Sequence, residues 1–345
     1  MASAPQTLGP AAVVGTTTWG ATLAIILARR GIEVRLLARS SEEAARLSAA
    51  GEHPRLAGHA FPEGLSVTGD WAAGLDGASV VIFAVPAQTM RENAKRAAPD
   101  IARSPVVVSA APVGVSAAKG LEHGTFKRMS QVLDDELPAT AGAHCALSGP
   151  NLAREVVRGL PTSTVVASPD ADAARRAQEL LNSTTFRVYT NTDVIGTELA
   201  GALKNVIAIG AGIADGMGLG DNAKAGFLTR GLAEITRLGV AAGADALTFA
   251  GNAGLGDLMA TCFSTLSRNH RLGIALAEGR SLKEAIDSLG GEVAEGVPTT
   301  PAALDLARAH GVEMPIAELT NRVLFEGLSP KDALGELMSR QPRPE

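Results

Sequence analysis

Residues 11–37 constrain this chain most. Ala11 to Val14 is a short apolar run that ends in Gly15. Thr16-Thr17-Thr18-Trp19-Gly20 follows, then ATLAIILARRG, an apolar-periodic stretch closed by Gly31, and Glu33 to Leu37 reads as another strand. The pattern predicts a strand, a tight turn, a helix and a second strand. An α/β sheet that opens this way places a phosphate-binding loop at its first turn, with the amides at the helix start facing a dinucleotide's pyrophosphate. The alternative is an ordinary strand-turn-helix with no ligand.

The usual fingerprint would put glycines at 15, 17 and 20. Gly15 and Gly20 are present, but Thr17 stands at the middle position and adds a β-branched side chain where backbone normally approaches phosphate. The expectation is a loop that still binds a dinucleotide, less tightly. Arg39 lies about twenty residues beyond the loop, where an acid would bind a ribose 2′-hydroxyl. A cation there favours a 2′-phosphate, hence NADP over NAD; the alternative is a solvated arginine at a strand end. Ser40 and Glu43 have the S-x-x-E spacing of a capping box that opens the next helix.

Further apolar runs at Ser79–Val85, Pro105–Ser109, Ala146–Asn151, Ser163–Ala167 and Arg187–Tyr189 read as strands or strand ends, with helices between. They predict an α/β class chain whose residues 1–190 form a Rossmann-type doubly wound parallel sheet. Lys119 then lies beyond a strand end, on the side where such sheets bind ligands. Past Thr190 the strand signals stop, so residues 191–345 read as an all-helical domain. Thr300-Pro301 and Ser329-Pro330 read as helix starts, and Ser281 with Glu284 as a capping box.

Glu198 to Asn222 is the centre of that second domain. Leu199, Leu203, Val206, Ile207 and Ile213 recur at helical spacing, and Lys204 is the one charge between Glu198 and Asp215. The run is too short, and too charged at its middle, to span a membrane. In a buried helix the Lys204 ammonium is disfavoured, its pKa falls towards neutrality, and it can exchange protons near pH 7. The alternative is a lysine that snorkels to water. Asp257 and Thr261 share a helix face. Ser267-Arg268-Asn269 groups a hydroxyl, a guanidinium and an amide, which suits a phosphate monoester; the alternative is an arginine near a helix's last carbonyls.

With 345 residues there is room for two domains, and a net charge of -5 argues against nucleic acid or a membrane surface as partner. Cys145 and Cys262 are far apart and read as core residues, not as a disulfide, and no cluster has metal-ligand spacing. The N-terminus lacks a signal-peptide pattern, so a cytoplasmic location is expected.

The segments SAAKGLEHGT, LSGPNLAREVVRGLP, ELAGALKNVIAIGAGIADGMGLGDNAKAGFLTRGLAE and GLGDLMATCFSTLSRN resemble the bacterial NAD(P)-dependent sn-glycerol-3-phosphate dehydrogenases, and the likeness runs from about Val13 to about Leu337. The resemblance implies a Rossmann domain, a helical domain and a homodimer. It also implies reversible reduction of dihydroxyacetone phosphate to sn-glycerol 3-phosphate for phospholipid synthesis. Lys204 would be the general acid and base, with Lys119 and Asp257 beside it. Lys119, Gly149, Asn151, Lys204, Asp257, Ser267, Arg268 and Asn269 would line the substrate. Gly15, Thr18, Trp19, Gly20, Arg39, Lys119, Ala153, Arg268, Val293 and Glu295 would hold NADPH, with NAD possible. Against the family's pattern, Thr18 stands where serine is common and Asn252 where an apolar residue is usual. Two other readings share part of this pattern. One is a related two-domain dehydrogenase for another small hydroxy acid or phosphorylated alcohol. The other, which rests on Thr17, is a non-catalytic cofactor-binding protein.

Overall fold

The computed structural model describes residues 9–103 and 113–341. The chain divides into two compact units. The first runs to Ala118 and resumes over Met129–Val194; the second joins Lys119–Arg128 to the residues from Ile195 onward.

The first unit holds eight strands: β1 (Ala11–Val14), β2 (Val34–Leu37), β3 (Leu65–Thr68), β4 (Val80–Phe83), β5 (Val113–Ser116), β6 (Cys145–Ser148), β7 (Thr162–Ala167) and β8 (Phe186–Asn191). Their order is β3-β2-β1-β4-β5-β6-β7-β8. In the central register Val13 faces Leu36 on one side and Ile82 on the other. β1 and β4 are buried along their whole length, as strands covered on both faces must be. Their side chains alternate between two cores. Ala11 and Val13 join a cluster with helices α1 (Thr18–Ala28), α6 (Ala153–Val157) and α7 (Ala171–Leu181). Ala12 and Val14 join another with α3 (Trp71–Leu75), α4 (Met90–Arg103) and α5 (Met129–Glu136). Helix α2 (Ser41–Ala50) links β2 to β3.

Two expectations for this unit need correction, and one strand lies where none was expected. The sheet is not wholly parallel, because β7 runs antiparallel to β6. Only the short α6 separates these two strands, less than the full crossover helix that a parallel return usually takes. β3 escaped the sequence reading because LSVT is a four-residue, half-buried strand whose alternation is too short to stand out. At the Ser40–Glu43 box only one half forms. Ser40 Oγ accepts from the Glu43 amide at 3.3 Å, while the Glu43 carboxylate turns elsewhere. The strand expected at 105–109 lies outside the described residues.

In the second unit α8 (Val194–Gly216) is the central helix, buried on nearly every side. Contrary to the sequence expectation, it has the length and apolarity to cross a membrane, but most of its surface is covered within the protein. Leu199, Leu203, Val206 and Ile207 pack with Ile235, Leu238, Phe249 and Leu258. Around it lie α9 (Asp221–Ala241), α10 (Ala246–Ala250), α11 (Asp257–Phe263), α12 (Arg268–Ala277), α13 (Leu282–Asp287), α14 (Gly296–His310), α15 (Pro315–Phe325) and α16 (Pro330–Met338). Ser281 and Glu284 form both halves of their capping box, and Ser329 caps α16 with Pro330 in the first turn. Thr300-Pro301 does not start a helix. α14 begins at Gly296, Pro301 lies inside it, and Thr300 Oγ1 donates to Gly296 O at 2.7 Å. The cap-plus-proline pattern fails here because the hydroxyl bonds back along an existing helix. Glu234 of α9 accepts from the amides of Ile316 and Ala317, so it caps α15 from another helix, and burial pushes its carboxyl up to about 7.

Candidate active site

The first turn of the sheet unit is shaped by two glycines. Gly15 has φ +106, and a Cβ there would come within 2.7 Å of Val85 Cγ1 and 2.9 Å of Ala84 O. A Cβ on Gly20 would overlap the carbonyl oxygen of Gly15. Thr17 needs no glycine: its φ of -67 and ψ of 163 are ordinary extended backbone. Its hydroxyl donates to Ala84 O at 2.7 Å and accepts from the Gly20 amide at 3.0 Å, so it caps α1 and ties the turn to β4. Thr18 opens the helix, and Trp19 leans half-buried on Phe186 with ring centroids 6.4 Å apart. Thr22 Oγ1 donates to Thr18 O and, at 3.5 Å, to Ala153 O, which sets Ala153 beside α1.

Arg39 follows β2 with its side chain 82% exposed, its Nε 3.1 Å from Glu43 Oε2. Three buried polar atoms, Ser116 Oγ, Ser148 Oγ and Asn151 Oδ1, have no partner among the described residues. They lie at the carboxyl ends of β5 and β6, the same sheet edge at which β1 delivers its turn. Asn151 Nδ2 donates to Thr164 Oγ1 at 2.9 Å, and Gly149 at φ +145 presses too closely on Thr164 to carry a side chain. A glycine turn onto a helix N-terminus, with buried polar atoms unmet at the same edge, fits a polar dinucleotide.

The second unit concentrates charge. Lys119 sits three residues beyond β5, in the 119–128 segment anchored by buried Leu121 and by an Arg128–Glu198 ion pair at 2.6 Å. Its Nζ donates to Asp257 Oδ2 at 2.6 Å. Lys204 Nζ donates to the other oxygen, Asp257 Oδ1, at 2.5 Å and to Thr261 Oγ1 at 2.6 Å. Lys204 does not snorkel, since its side chain is only 6% exposed. Burial lowers its pKa from 10.5 to about 8; Asp257 opposes that shift and the Lys119 charge adds to it. Asp257 reaches this place through a π-helical turn, Asn252–Gly256, that runs into α11. Gly254 in that turn lies so close to the Phe249 backbone that a Cβ would overlap it.

Ser267, Arg268 and Asn269 open α12; they do not close a helix. Ser267 is its N-cap, Arg268 its exposed first residue, and Asn269 is buried. Asn269 Nδ2 donates to Asn205 Oδ1 at 3.0 Å, and its Oδ1 accepts from the Gly296 amide at 2.9 Å. Lys204 and its neighbour Asn205 thus tie α8 to both α11 and α12. Asp215, at the end of α8, accepts from His270 Nε2 at 2.7 Å and Lys224 Nζ at 2.5 Å. Glycines press the same helices together, since a Cβ on Gly212 would overlap His270 O and one on Gly273 would overlap Ile209 O. Val293 is exposed just before α14, and Glu295 immediately precedes it.

The structure therefore joins Lys119, Lys204, Asp257 and Thr261 directly, and bonds Asn269 to Asn205, the residue that follows Lys204 on α8. Gly15, Thr18, Trp19, Gly20, Arg39, Gly149, Asn151 and Ala153 belong to the sheet unit. Sequence reasoning missed Asn205, although its place beside the lone buried lysine was a usable signal. It also missed the π turn, which has no periodicity to detect.

Comparison with known proteins agrees over both units. The family model for the NAD-dependent glycerol-3-phosphate dehydrogenase N-terminus matches residues 10–174, and that for the C-terminus matches residues 193–335. A glycerol-3-phosphate dehydrogenase of Dehalococcoides mccartyi, named for NAD(P)+, is 49% identical over 332 residues, covering 95% of this chain and 90% of the relative. One from Streptomyces griseus is 48% identical and covers 97% and 98%. The crystal structure of glycerol-3-phosphate dehydrogenase from Coxiella burnetii superposes with a TM-score of 0.89 at 38% identity, covering 97% of this chain and all of that one.

Proposed function

The chain belongs to the NAD-dependent glycerol-3-phosphate dehydrogenase family, and on that premise we propose that it reduces dihydroxyacetone phosphate to sn-glycerol 3-phosphate, reversibly, for glycerophospholipid synthesis. The observation that carries the reading is the Asp257 carboxylate, which gives one oxygen to each of two lysines. Hydride comes from the reduced nicotinamide when it is bound. Negative charge then grows on the ketone oxygen, and Lys204 gives that oxygen its proton. A buried ammonium whose pKa is about 8 gives up a proton far more readily than an ordinary lysine. Thr261 and Asp257 hold Nζ in place, and Lys119 adds a second positive charge for the developing oxyanion. Arg268, Ser267 and Asn269 at the start of α12 take the substrate phosphate, which fixes the carbonyl for reaction. Gly149 and Asn151 complete the substrate set.

The amides of Thr18 and Trp19, in the turn that Gly15 and Gly20 shape, take the dinucleotide's pyrophosphate, with Ala153, Val293, Glu295 and Arg268 as further contacts. Arg39 meets a 2′-phosphate, so NADPH is the preferred cofactor. Thr17 is compatible with cofactor binding, because its hydroxyl builds the turn. The working species is a homodimer in the cytoplasm.

Purified protein mixed with NADPH or NADH and dihydroxyacetone phosphate, followed by loss of nicotinamide absorbance, tests the reading. Fast loss with NADPH and slower loss with NADH is expected. Equal rates would remove the Arg39 argument, and no loss with either would overturn the activity. Lys204→Ala should abolish turnover yet still bind the cofactor. A rate near wild type would remove the role given to Lys204.

A further inference from the structure

The carboxylate expected at the end of β2 in a dinucleotide-binding fold is absent from its usual position, which Arg39 occupies. The structure supplies one from the next helix. Glu43, in the first turn of α2, turns back over the sheet edge. Its Oε1 accepts from Thr16 Oγ1 at 2.9 Å, and its Oε2 accepts from the Arg39 amide at 3.3 Å and lies 3.1 Å from Arg39 Nε. Thr16 belongs to the turn after β1 and Arg39 to the turn after β2. The carboxylate therefore bridges the carboxyl ends of these two strands, the place where the fold seats the adenosine ribose.

The surroundings fix this arrangement. Arg96 donates to Arg39 O at 2.9 Å and lies 4.1 Å over the Trp71 ring, and Trp71 Nε1 donates to Ala38 O at 2.8 Å. His53 Nε2 lies 3.1 Å from Thr16 O on the other side. Backbone on both sides of Glu43 is thus held. Glu43 itself is 14% exposed, whereas the Arg39 side chain is 82% exposed. The site pairs a fixed anion with a solvent-facing cation.

Resting on the cofactor reading above, we propose that Glu43 is a specificity-determining residue that accepts the ribose 2′-hydroxyl of NADH and opposes the 2′-phosphate of NADPH. With NADH, the 2′-hydroxyl donates to the carboxylate and Arg39 stays paired to Glu43. With NADPH, the phosphate draws the Arg39 guanidinium to itself while facing the Glu43 charge. Arg39 and Glu43 work against each other, and the chain accepts both cofactors with a smaller preference than Arg39 alone would set.

Direct titration of NADH and NADPH, each followed by its own fluorescence, tests this on the whole protein. Glu43→Gln keeps the length and the hydrogen bond to Thr16 but removes the charge. It should raise the preference for NADPH over NADH about tenfold, as expected for removing a like charge beside the phosphate and an acceptor from the hydroxyl. Arg39→Ala, at an exposed position where folding is not at risk, should weaken NADPH about tenfold and leave NADH within about threefold. If Glu43→Gln shifts both affinities by one common factor, or neither, Glu43 is only a prop for Thr16 and the proposal is overturned. A wild-type protein that binds neither cofactor would overturn the cofactor site itself, and this proposal with it.

Discussion

The turn between β1 and α1 and the lysine cluster on α8 and α11 are built on opposite principles. The turn is made of backbone. Its glycines are there because a Cβ would strike Ala84, Val85 or the loop itself, and of the charges near it Arg39 is exposed while Glu43 is largely covered. The lysine cluster is made of side chains: two ammonium groups and one carboxylate, with Lys204 and Asp257 almost wholly buried. A backbone site fails when its shape changes, and a charge site fails when its balance changes. The difference teaches where each unit is vulnerable.

Asp257→Ala should show the largest effect. It leaves Lys204 and Lys119 facing each other without a counter-charge, which should lower stability by about 3 kcal/mol and drive the Lys204 pKa further down. Urea unfolding at pH 7 checks this; a change below about 1 kcal/mol would class the cluster with surface ion pairs. Gly20→Ala attacks the other side of the comparison. The new methyl must displace the Gly15 carbonyl, and cofactor affinity should fall roughly a hundredfold, the usual consequence of an ångström of misplacement. Retention of affinity would mean that the turn is more compliant than its packing implies.

The pH profile sharpens the contrast, because only the charge site should titrate near neutrality. Ketone reduction needs protonated Lys204, so its rate should fall as pH rises through about 8, approaching tenfold per unit beyond that point. Alcohol oxidation needs the neutral amine, so its rate should rise through the same pH. Profiles flat from pH 7 to 9 in both directions would count against Lys204 as the proton carrier. The smallest effect belongs to Thr17→Ala, which removes the α1 cap and the Ala84 anchor and should lower stability by about 1 kcal/mol in thermal or urea unfolding. A larger loss of cofactor affinity than of stability would add Thr17 to the ligand contacts.

The two regions were also unequally legible. Lys204 announced itself as a lone charge in an apolar helix, and Asp257 with Thr261 as a four-residue pair, because burial and helical period leave marks on sequence. Gly15 and Gly20 were readable for the same kind of reason. At Thr17 the sequence shows only a missing glycine, and the hydroxyl that caps the helix is visible only in the structure. Glu43 was hidden by a motif: S-x-x-E describes a local cap, and nothing local reveals that the carboxylate faces Thr16, 27 residues earlier. The reversed β7 was invisible because strand direction is set by how the chain returns, not by the residues in the strand.

The segment Lys119–Arg128 has a consequence for how the protein can be made. The chain leaves the sheet unit after Ala118, contributes ten residues to the helical unit, and returns at Met129. During synthesis the ribosome releases those residues long before α8 exists to receive Leu121 and Arg128. The sheet unit must therefore carry an unfinished loop until α8 has been made. The two units cannot be separated by a single cut, since a helical fragment starting at Ile195 would lack Lys119. They are interlaced along the chain rather than strung like beads.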